Sequence, residues 1–156
     1  MEGDFTDDEG VVIRNLRPED CPRLIAIDKK ITGRSRTMWY EGKLKRALEE
    51  SDLQVSLGAE VDNLLVGAMF AVVHYGEFGQ PEPLAVLDTV LVDPAFAGRG
   101  IARAIFEQLL RNLTALRIER LRTEVAWNDH ELVAFFGSMG FEPTTRLVLE
   151  RGISQS

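Results

Sequence analysis

The chain has 156 residues, 45% hydrophobic and 28% charged, which is the composition of one ordinary globular domain. Cys21 is the only cysteine, so an intrachain disulfide and a cysteine-rich metal site are excluded, and we expect no bound metal. Five acidic residues and no basic one lie in residues 1–10, and these account for most of the formal net charge of −7. We therefore predict a disordered acidic tail over residues 1–10 and a single domain over residues 11–152.

The same composition limits the partners. No apolar run approaches the roughly 20 residues of a membrane helix, and residues 1–10 lack the basic and apolar segments of a signal peptide. No basic stripe indicates a nucleic-acid surface. We expect a cytoplasmic protein that binds neither membrane nor nucleic acid. Its mildly acidic body suits a cationic amine substrate.

The first third of the sequence predicts one short strand and two helices. The strand covers Val11–Arg14. Pro18 opens the first helix, because proline fits the first helical turn, and Gly33 ends it. The second helix is capped by Ser35 or Thr37, and its apolar residues recur at intervals of four.

The middle of the sequence is rich in Val, Leu, Ala and Phe, which predicts strands. Three runs qualify: Leu53–Glu60, Leu64–Tyr75 and Leu84–Val92. Asp62–Asn63 is a tight connection of the hairpin type between the first two runs. Gly76–Pro83 contains two glycines and two prolines and reads as a loop.

The last third alternates helices and strands. An amphipathic helix starts at about Gly100, and Leu121–Trp127 reads as a strand. Asn128 or Asp129 caps a short helix, after which Phe141–Arg151 reads as a final strand. The order β-α-α-β-β-β-α-β-α-β predicts a mixed α/β domain with a central, partly antiparallel sheet.

The segment Gly98-Arg99-Gly100 has the chemistry of an anion site, because it joins a buried strand to a helix N-terminus. The first amides of a helix lack internal partners and carry partial positive charge, and glycine allows a phosphate to approach the backbone closely. Arg99 or Arg103 adds a charge-assisted contact. A dinucleotide fingerprint would need glycine at position 103, and an ATPase phosphate loop would need Gly-Lys-Ser/Thr. The alternative is a turn that uses glycine only for its geometry.

Two motifs resemble those of the GNAT N-acetyltransferase superfamily. Leu91–Pro94 followed by Ala97–Ala102 is similar to the coenzyme-A motif of that family. Glu124-Val125, Asn128 and the later Gly140-Phe141 resemble its second motif. The resemblance spans about Val11 to Arg151 and implies a central, largely antiparallel sheet flanked by helices. It also implies acetyl-CoA as co-substrate.

The resemblance further implies that two neighbouring strands, Leu84–Val92 and Leu121–Trp127, splay apart to admit the pantetheine arm. Backbone groups of the first strand would bind the pantetheine amides, and the glycine turn would bind the pyrophosphate. A nearby amide would polarise the thioester carbonyl. The coenzyme-binding residues so implied are Leu91, Val92, Gly98, Arg99, Gly100, Ile101, Ala102, Arg103, Asn128 and Phe136.

The sequence departs from the family pattern in three places. Ala97 stands where the family has Gln or Arg, so one side-chain contact is lost. Asn128 lies one residue early relative to Gly140, so Asp129 competes for its role. Phe136 stands where the family often has a tyrosine that protonates the leaving thiolate. Because a thiol has a pKa of about 8.5, a thiolate leaves at neutral pH with little help, and deprotonating the amine is the harder requirement.

Candidate bases are Asp88, within an apolar strand, and Glu124, on the neighbouring strand. The alternatives are a structural acid bonded to the backbone or an arginine, and an exposed strand residue. Arg34, Arg36 and His74 are candidate substrate contacts, against the alternatives of a solvated helix start and a surface histidine.

We therefore predict an N-acyltransferase that moves an acetyl group from acetyl-CoA to a primary amine. Cys21 is not placed like a nucleophile, which favours direct attack in a ternary complex over an acyl-enzyme. One alternative is a non-catalytic acyl-CoA-binding regulatory module on the same fold. Another is an unrelated α/β binding protein whose glycine turn is structural. The sequence leaves open a homodimer formed through the sheet or the C-terminal strand.

Overall fold

The computed structural model describes residues 5–6, 10–50 and 55–154. The chain divides into two compact units, Met1–Glu124 and Val125–Ser156. Most of the acidic tail predicted over residues 1–10 lies outside the described residues, namely 1–4 and 7–9. Within that tail Phe5–Thr6 forms a short strand, so the prediction of disorder is wrong for these two residues.

The first unit is built on a six-stranded sheet whose strands are arranged in chain order. All neighbouring strands are antiparallel except the last two, which are parallel. This confirms a mixed, largely antiparallel sheet. The strands are β1 (Phe5–Thr6), β2 (Val12–Asn15), β3 (Leu57–Val61), β4 (Leu64–His74), β5 (Leu84–Val92) and β6 (Leu121–Thr123). The predicted strand Leu53–Glu60 starts later than expected, and its residues 53–54 lie outside the described part.

Among its described residues, the first unit has three α-helices, α1 (Cys21–Thr32), α2 (Thr37–Lys45) and α3 (Ile101–Ala115), and a π-helical turn, Arg46–Glu50, follows α2. A short 3-10 turn, Pro18–Asp20, leads into α1, and Gly33 ends α1 in the left-handed conformation at φ 78°, as the sequence predicted. The residue before α2 is Arg36, and no side chain caps that helix, so the predicted capping by Ser35 or Thr37 is wrong.

The helices cover opposite faces of the sheet. On one face, α1 and α2 pack their apolar side chains against Ala68 and Phe70 of β4, and the helix residues buried there are Leu24, Ile27, Tyr40 and Leu44. Side chains alternate between faces along a strand, so a Cβ added at Gly67 would lie on the other face of the sheet. Ile101 and Ile105 of α3 lie on that face. The sheet is therefore buried between two helical layers.

In the second unit the described residues form one helix, α4 (His130–Ser138). The Asp129 side chain accepts a hydrogen bond from the Leu132 amide at 3.2 Å and so caps α4, which decides between the two predicted caps. No strand is present over residues 141–154, so the predicted final strand Phe141–Arg151 is wrong. A strand needs a hydrogen-bonded neighbour, and the described part of this unit offers no other strand.

Among the described residues, no helix has the length and apolar character that crossing a bilayer requires. Within the same ranges, no group of three or more His, Cys, Asp or Glu side chains is arranged to hold a metal ion.

Candidate functional site

The parallel pair β5 and β6 separates partway along β5. Its last paired residues are Leu87 and Thr123, where β6 ends, whereas β5 continues to Val92. The Thr123 hydroxyl donates to the Leu87 carbonyl at 2.7 Å and closes the ladder there. In the described chain no strand pairs with β5 on this side beyond Leu87. The strand predicted to reach Trp127 is therefore shorter, and an open edge of backbone begins at residue 88.

The hydrogen bonds of β4 decide which β5 residues turn their backbone to this open edge. The Asp93 amide donates to the Val66 carbonyl at 2.8 Å. Bonded and non-bonded pairs alternate along an antiparallel ladder, so Leu91 also directs its N–H and C=O to β4. The backbone groups of Val90 and Val92 therefore face the open edge. Leu91 therefore does not turn its backbone groups to the open edge as expected of a pantetheine partner, whereas Val90 does, and the coenzyme role of either residue stays a prediction.

A bulge lies at the start of the open edge. Phe70 pairs with Thr89 and Ala71 pairs with Leu87, so Asp88 has no partner residue on β4. The Asp88 side chain is 39% exposed and forms an ion pair with Lys43 at 2.7 Å. It also accepts a hydrogen bond from the Thr89 hydroxyl at 2.8 Å. The apolar strand sequence suggested a buried carboxylate at position 88, but Asp88 is instead partly exposed and paired with Lys43. Its role as a base stays a prediction.

Glu124, the second candidate base, is exposed and follows the last residue of β6. It therefore lies beyond the parallel ladder instead of on a strand facing β5. Its role also stays a prediction.

The glycine turn connects β5 to α3 and presents backbone amides. After a 3-10 turn at Pro94–Phe96, both Gly98 and Gly100 have φ 76°, a conformation that L-residues avoid. Space beside both glycines is open, since an added Cβ would meet nothing within 4 Å. In the described part of the chain, no protein group accepts a hydrogen bond from the amides of residues 98–103. Such a row of free amides at a helix N-terminus suits an anion.

Two arginines flank these amides. The Arg99 guanidinium lies 5.0 Å from the centre of the Phe96 ring, a cation–π distance. Arg103 is exposed on the first turn of α3. Neither forms an ion pair with a described residue, so both cations are available to a ligand near the turn.

Asp93 anchors the turn to α1. Its carboxylate is 1% exposed and accepts hydrogen bonds from the Ala95 amide at 3.0 Å, Arg23 at 2.9 Å and Lys30 at 3.0 Å. Burial alone would raise the pKa of Asp93, but the hydrogen bonds from Ala95, Lys30 and Arg23 outweigh it and hold that pKa below its usual range. Asp93 is absent from the predicted site residues, although an acid directly before Pro94 at the end of a strand was a usable signal in the sequence.

The loop between α1 and α2 contains one engaged arginine and one free one. Arg36 binds Asp28 through two hydrogen bonds, at 2.8 and 2.6 Å, and the Tyr40 hydroxyl donates to Asp28 at 3.1 Å. The Arg36 guanidinium also lies 4.6 Å from the centre of the Trp39 ring. Arg36 is therefore held by the protein itself, which gives it a structural role, and its expected role as a substrate contact stays a prediction. The Arg34 side chain is exposed and forms no ion pair within the described ranges, so it remains a candidate.

The remaining predicted site residues lie apart in the chain. His74 is the last residue of β4 and is half-buried. In the second unit, Asn128 is exposed and precedes the helix cap. Phe136 is buried in edge-to-face contact with Phe135 and Phe141, with ring centres 5.5 and 5.0 Å apart. The coenzyme roles of Asn128 and Phe136 stay predictions.

Comparison with known proteins agrees with this geometry. The family model described as "Acetyltransferase (GNAT) family" matches residues 17–141. No curated protein sequence matches the chain.

Solved structures share the fold at low sequence identity. One is the aminoglycoside N-acetyltransferase AAC(6')-Iy in complex with CoA, at 18% identity and TM-score 0.75, with 98% of each chain covered. A transcriptional regulator from Bacillus halodurans C-125 has 14% identity and TM-score 0.75, over 92% of this chain and 99% of that one. A ribosomal-protein-alanine N-acetyltransferase from Brucella melitensis biovar Abortus 2308 has 18% identity and TM-score 0.72, over 91% and 99%.

Proposed function

The chain belongs to the acetyltransferase (GNAT) family, and from that premise we propose that it transfers an acetyl group directly from acetyl-CoA to a primary amine within a ternary complex. Membership makes it an acyl-CoA-dependent N-acetyltransferase with acetyl-CoA as co-substrate. The alternative of an unrelated binding protein with a structural glycine turn is thereby excluded. The direct mechanism and the class of acceptor are the proposed part.

The open edge of β5, leading to the glycine turn, is the observation that carries this proposal. Val90 and Val92 offer backbone groups where no strand pairs with them, which suits the amides of a pantetheine arm. Beyond them, the free amides of residues 98–103 with Arg99 and Arg103 suit the pyrophosphate. Loop and strand thus provide successive contacts for one extended coenzyme.

The chemistry requires an oxyanion donor and a proton acceptor. An amide of β5 at the open edge can donate to the thioester oxygen as it becomes negative, the kind of interaction that contributes about 3–4 kcal/mol in other acyl transfers. Asp88, at the start of this edge, and Glu124, directly after the last residue of β6, are the proposed proton acceptors. A thiolate is a good leaving group at neutral pH, so Phe136 in place of tyrosine leaves the reaction feasible.

We assign the acceptor to the class of primary amines. The structural relatives named above include enzymes that N-acetylate an aminoglycoside and a ribosomal-protein alanine. The exposed Arg34 guanidinium, in the loop after α1, suits an acceptor that carries an anionic group in addition to its amine.

Calorimetric titration of acetyl-CoA into Gly100→Asp and Gly100→Asn tests the coenzyme site. Both side chains tolerate the left-handed conformation of Gly100 and have the same shape, so the pair isolates a negative charge. We expect Gly100→Asp to bind about tenfold more weakly than Gly100→Asn, a difference of about 1.4 kcal/mol. Gly76→Asp is the matched control, because Gly76 has φ 71° and open surroundings in a different loop.

Equal affinity of the two position-100 variants would remove the pyrophosphate from this turn. Transfer is measured as the release of CoA thiol. If the wild type binds acetyl-CoA but releases no thiol with any amine in a broad panel, the proposed acceptor class is rejected. That outcome would favour the acyl-CoA-binding regulatory alternative.

A further inference from the structure

Lys43 is a lysine whose ammonium group the fold holds in a defined position. It lies on α2, and its side chain is only 13% exposed. Nζ lies 2.7 Å from Asp88 Oδ1, 5.1 Å from the centre of the Trp39 ring and 5.4 Å from that of Phe70. A carboxylate and two aromatic faces thus restrict a side chain that is normally flexible on a protein surface.

The partner of Lys43 places this amine at the start of the open edge. Asp88 is the bulge residue of β5, directly after the last pair formed with β6 at Leu87. Lys43 and Phe70 lie on the α1 and α2 face of the sheet, while α3 covers the opposite face. A thioester bound along the open edge would therefore have α3 on one face of the sheet and the Lys43 amine on the other.

We propose that Lys43 Nζ is an intramolecular acetyl acceptor, so that the protein acetylates itself at this lysine. The proposal rests on the proposed function, because it needs acetyl-CoA bound along the open edge. The acceptor is the Lys43 amine, which the fold places beside Asp88 at the start of the open edge.

The step balances with groups already present. The Lys43 ammonium gives one proton to the Asp88 carboxylate and becomes a neutral amine. Its nitrogen forms a bond to the thioester carbonyl carbon, and the carbon–sulfur bond then breaks with its electron pair leaving on sulfur. The nitrogen loses a second proton, which the thiolate takes up, while Asp88 passes the first proton to water. The products are acetyl-lysine, CoA thiol and one proton.

Acetylation would change the environment of Asp88. An amide carries no charge, so the ion pair between residues 43 and 88 would be lost. The cation–π contacts of the ammonium with Trp39 and Phe70 would be lost for the same reason. Asp88 would then be an unpaired, partly exposed carboxylate beside the open edge, available to accept a proton from a second, external amine.

The test is peptide mass spectrometry of the wild-type protein incubated with acetyl-CoA, over a time course at several protein concentrations. Lys45 serves as the internal control, because it is exposed and lies on the same helix. We expect acetylation at Lys43 to exceed that at Lys45 at least tenfold and to follow first-order kinetics with a half-time independent of protein concentration. Spontaneous acetylation would instead favour the exposed Lys45.

Three variants sharpen the result. Lys43→Arg keeps the positive charge and should abolish the modification, whereas Lys45→Arg should leave it unchanged. Asp88→Asn removes the proton acceptor and should slow it at least tenfold. Calorimetry with acetyl-CoA accompanies each variant and shows that the fold and the coenzyme site persist.

Equal labelling of Lys43 and Lys45, or no labelling of Lys43 in protein that binds acetyl-CoA, would overturn the inference and leave the proposed function standing. A half-time that shortens with protein concentration would also overturn it, because the transfer would then occur between molecules. Failure of the wild type to bind acetyl-CoA would overturn the proposed function itself.

Discussion

Buried aspartates in the first unit are each paired with an arginine. Asp20, Asp28 and Asp93 are almost fully buried and accept hydrogen bonds from Arg14, Arg36 and Arg23 respectively. A buried carboxylate is stable only when it is paired, so these three hold elements together. The acids that remain available for proton transfer are therefore exposed. Asp88 was chosen from the sequence because its strand is apolar and so expected to be buried, but its side chain is 39% exposed.

Asp28→Asn should lower the free energy of unfolding by about 2 kcal/mol at pH 7, because Arg36 and Tyr40 lose a charged acceptor. Hydrogen bonds from Arg36 lower the pKa of Asp28 against the opposing effect of burial, and burial raises the pKa of Tyr40 to about 12. A carboxyl whose folded pKa is depressed contributes stability above its unfolded pKa of about 3.9 and loses it as pH falls through the folded value.

Urea unfolding of the wild type and Asp28→Asn between pH 7 and pH 3 measures this contribution. The difference between the two proteins should be full at pH 7 and shrink below about pH 4. Glu119→Gln, an exposed position, should stay within about 0.5 kcal/mol of wild type. If the difference in free energy of unfolding stays constant down to pH 3, the stabilisation by Asp28 does not depend on its negative charge.

At the scale of elements, the coenzyme turn depends on how closely α3 packs against the sheet. Gly67 of β4 provides the space, since a Cβ there would lie 2.9 Å from Ile101, 3.1 Å from the Leu91 carbonyl and 3.3 Å from Ile105. Ile101 is the first residue of α3, directly after Gly100. Packing at Gly67 and the position of the free amides are therefore linked.

Gly67→Ala should destabilise the protein by about 1–2 kcal/mol and weaken acetyl-CoA binding, because the added methyl pushes the start of α3 away from β4. Chemical unfolding and calorimetry measure the two effects. Gly42→Ala is the matched control: it lies within α2, its Cβ would make ordinary contact with Arg46 at 3.5 Å, and it should stabilise by about 0.5–1 kcal/mol. Unchanged stability and affinity in Gly67→Ala would show that the helix adjusts freely.

At the scale of the whole molecule, the single thiol is poorly placed for an acyl-enzyme route. Cys21 is half-buried at the start of α1, and burial raises the pKa of its thiol. A catalytic thiol needs the opposite shift, because the thiolate is the nucleophile. An acyl-enzyme on Cys21 is therefore disfavoured. The remaining route is direct attack of the amine on the thioester, which needs both substrates bound at once.

Initial-rate kinetics with a competent amine should give intersecting double-reciprocal lines, as a ternary complex requires, and parallel lines would indicate an acyl-enzyme. Cys21→Ser should change kcat/KM by less than about tenfold, whereas loss of a true nucleophile lowers it by orders of magnitude. A loss of that size in Cys21→Ser, with acetyl-CoA binding retained, would contradict direct transfer.

Local sequence signals determined much of this protein. Gly33 at the end of α1, the hairpin at Asp62–Asn63 and the glycine turn before α3 were all readable, because backbone conformation there depends on the residue itself. The family and its coenzyme followed from motifs in the same segments.

Tertiary structure decided the rest, because pairing and burial depend on residues distant in the chain. The bulge at Asp88 turns Val90, and not Leu91, to the open edge, and no local pattern specifies where a ladder shifts register. Likewise, Asp88 forms an ion pair with Lys43, which lies on a helix more than forty residues earlier in the chain. The strand pattern at Phe141–Arg151 was present in the sequence, but a strand forms only where another strand supplies its hydrogen bonds.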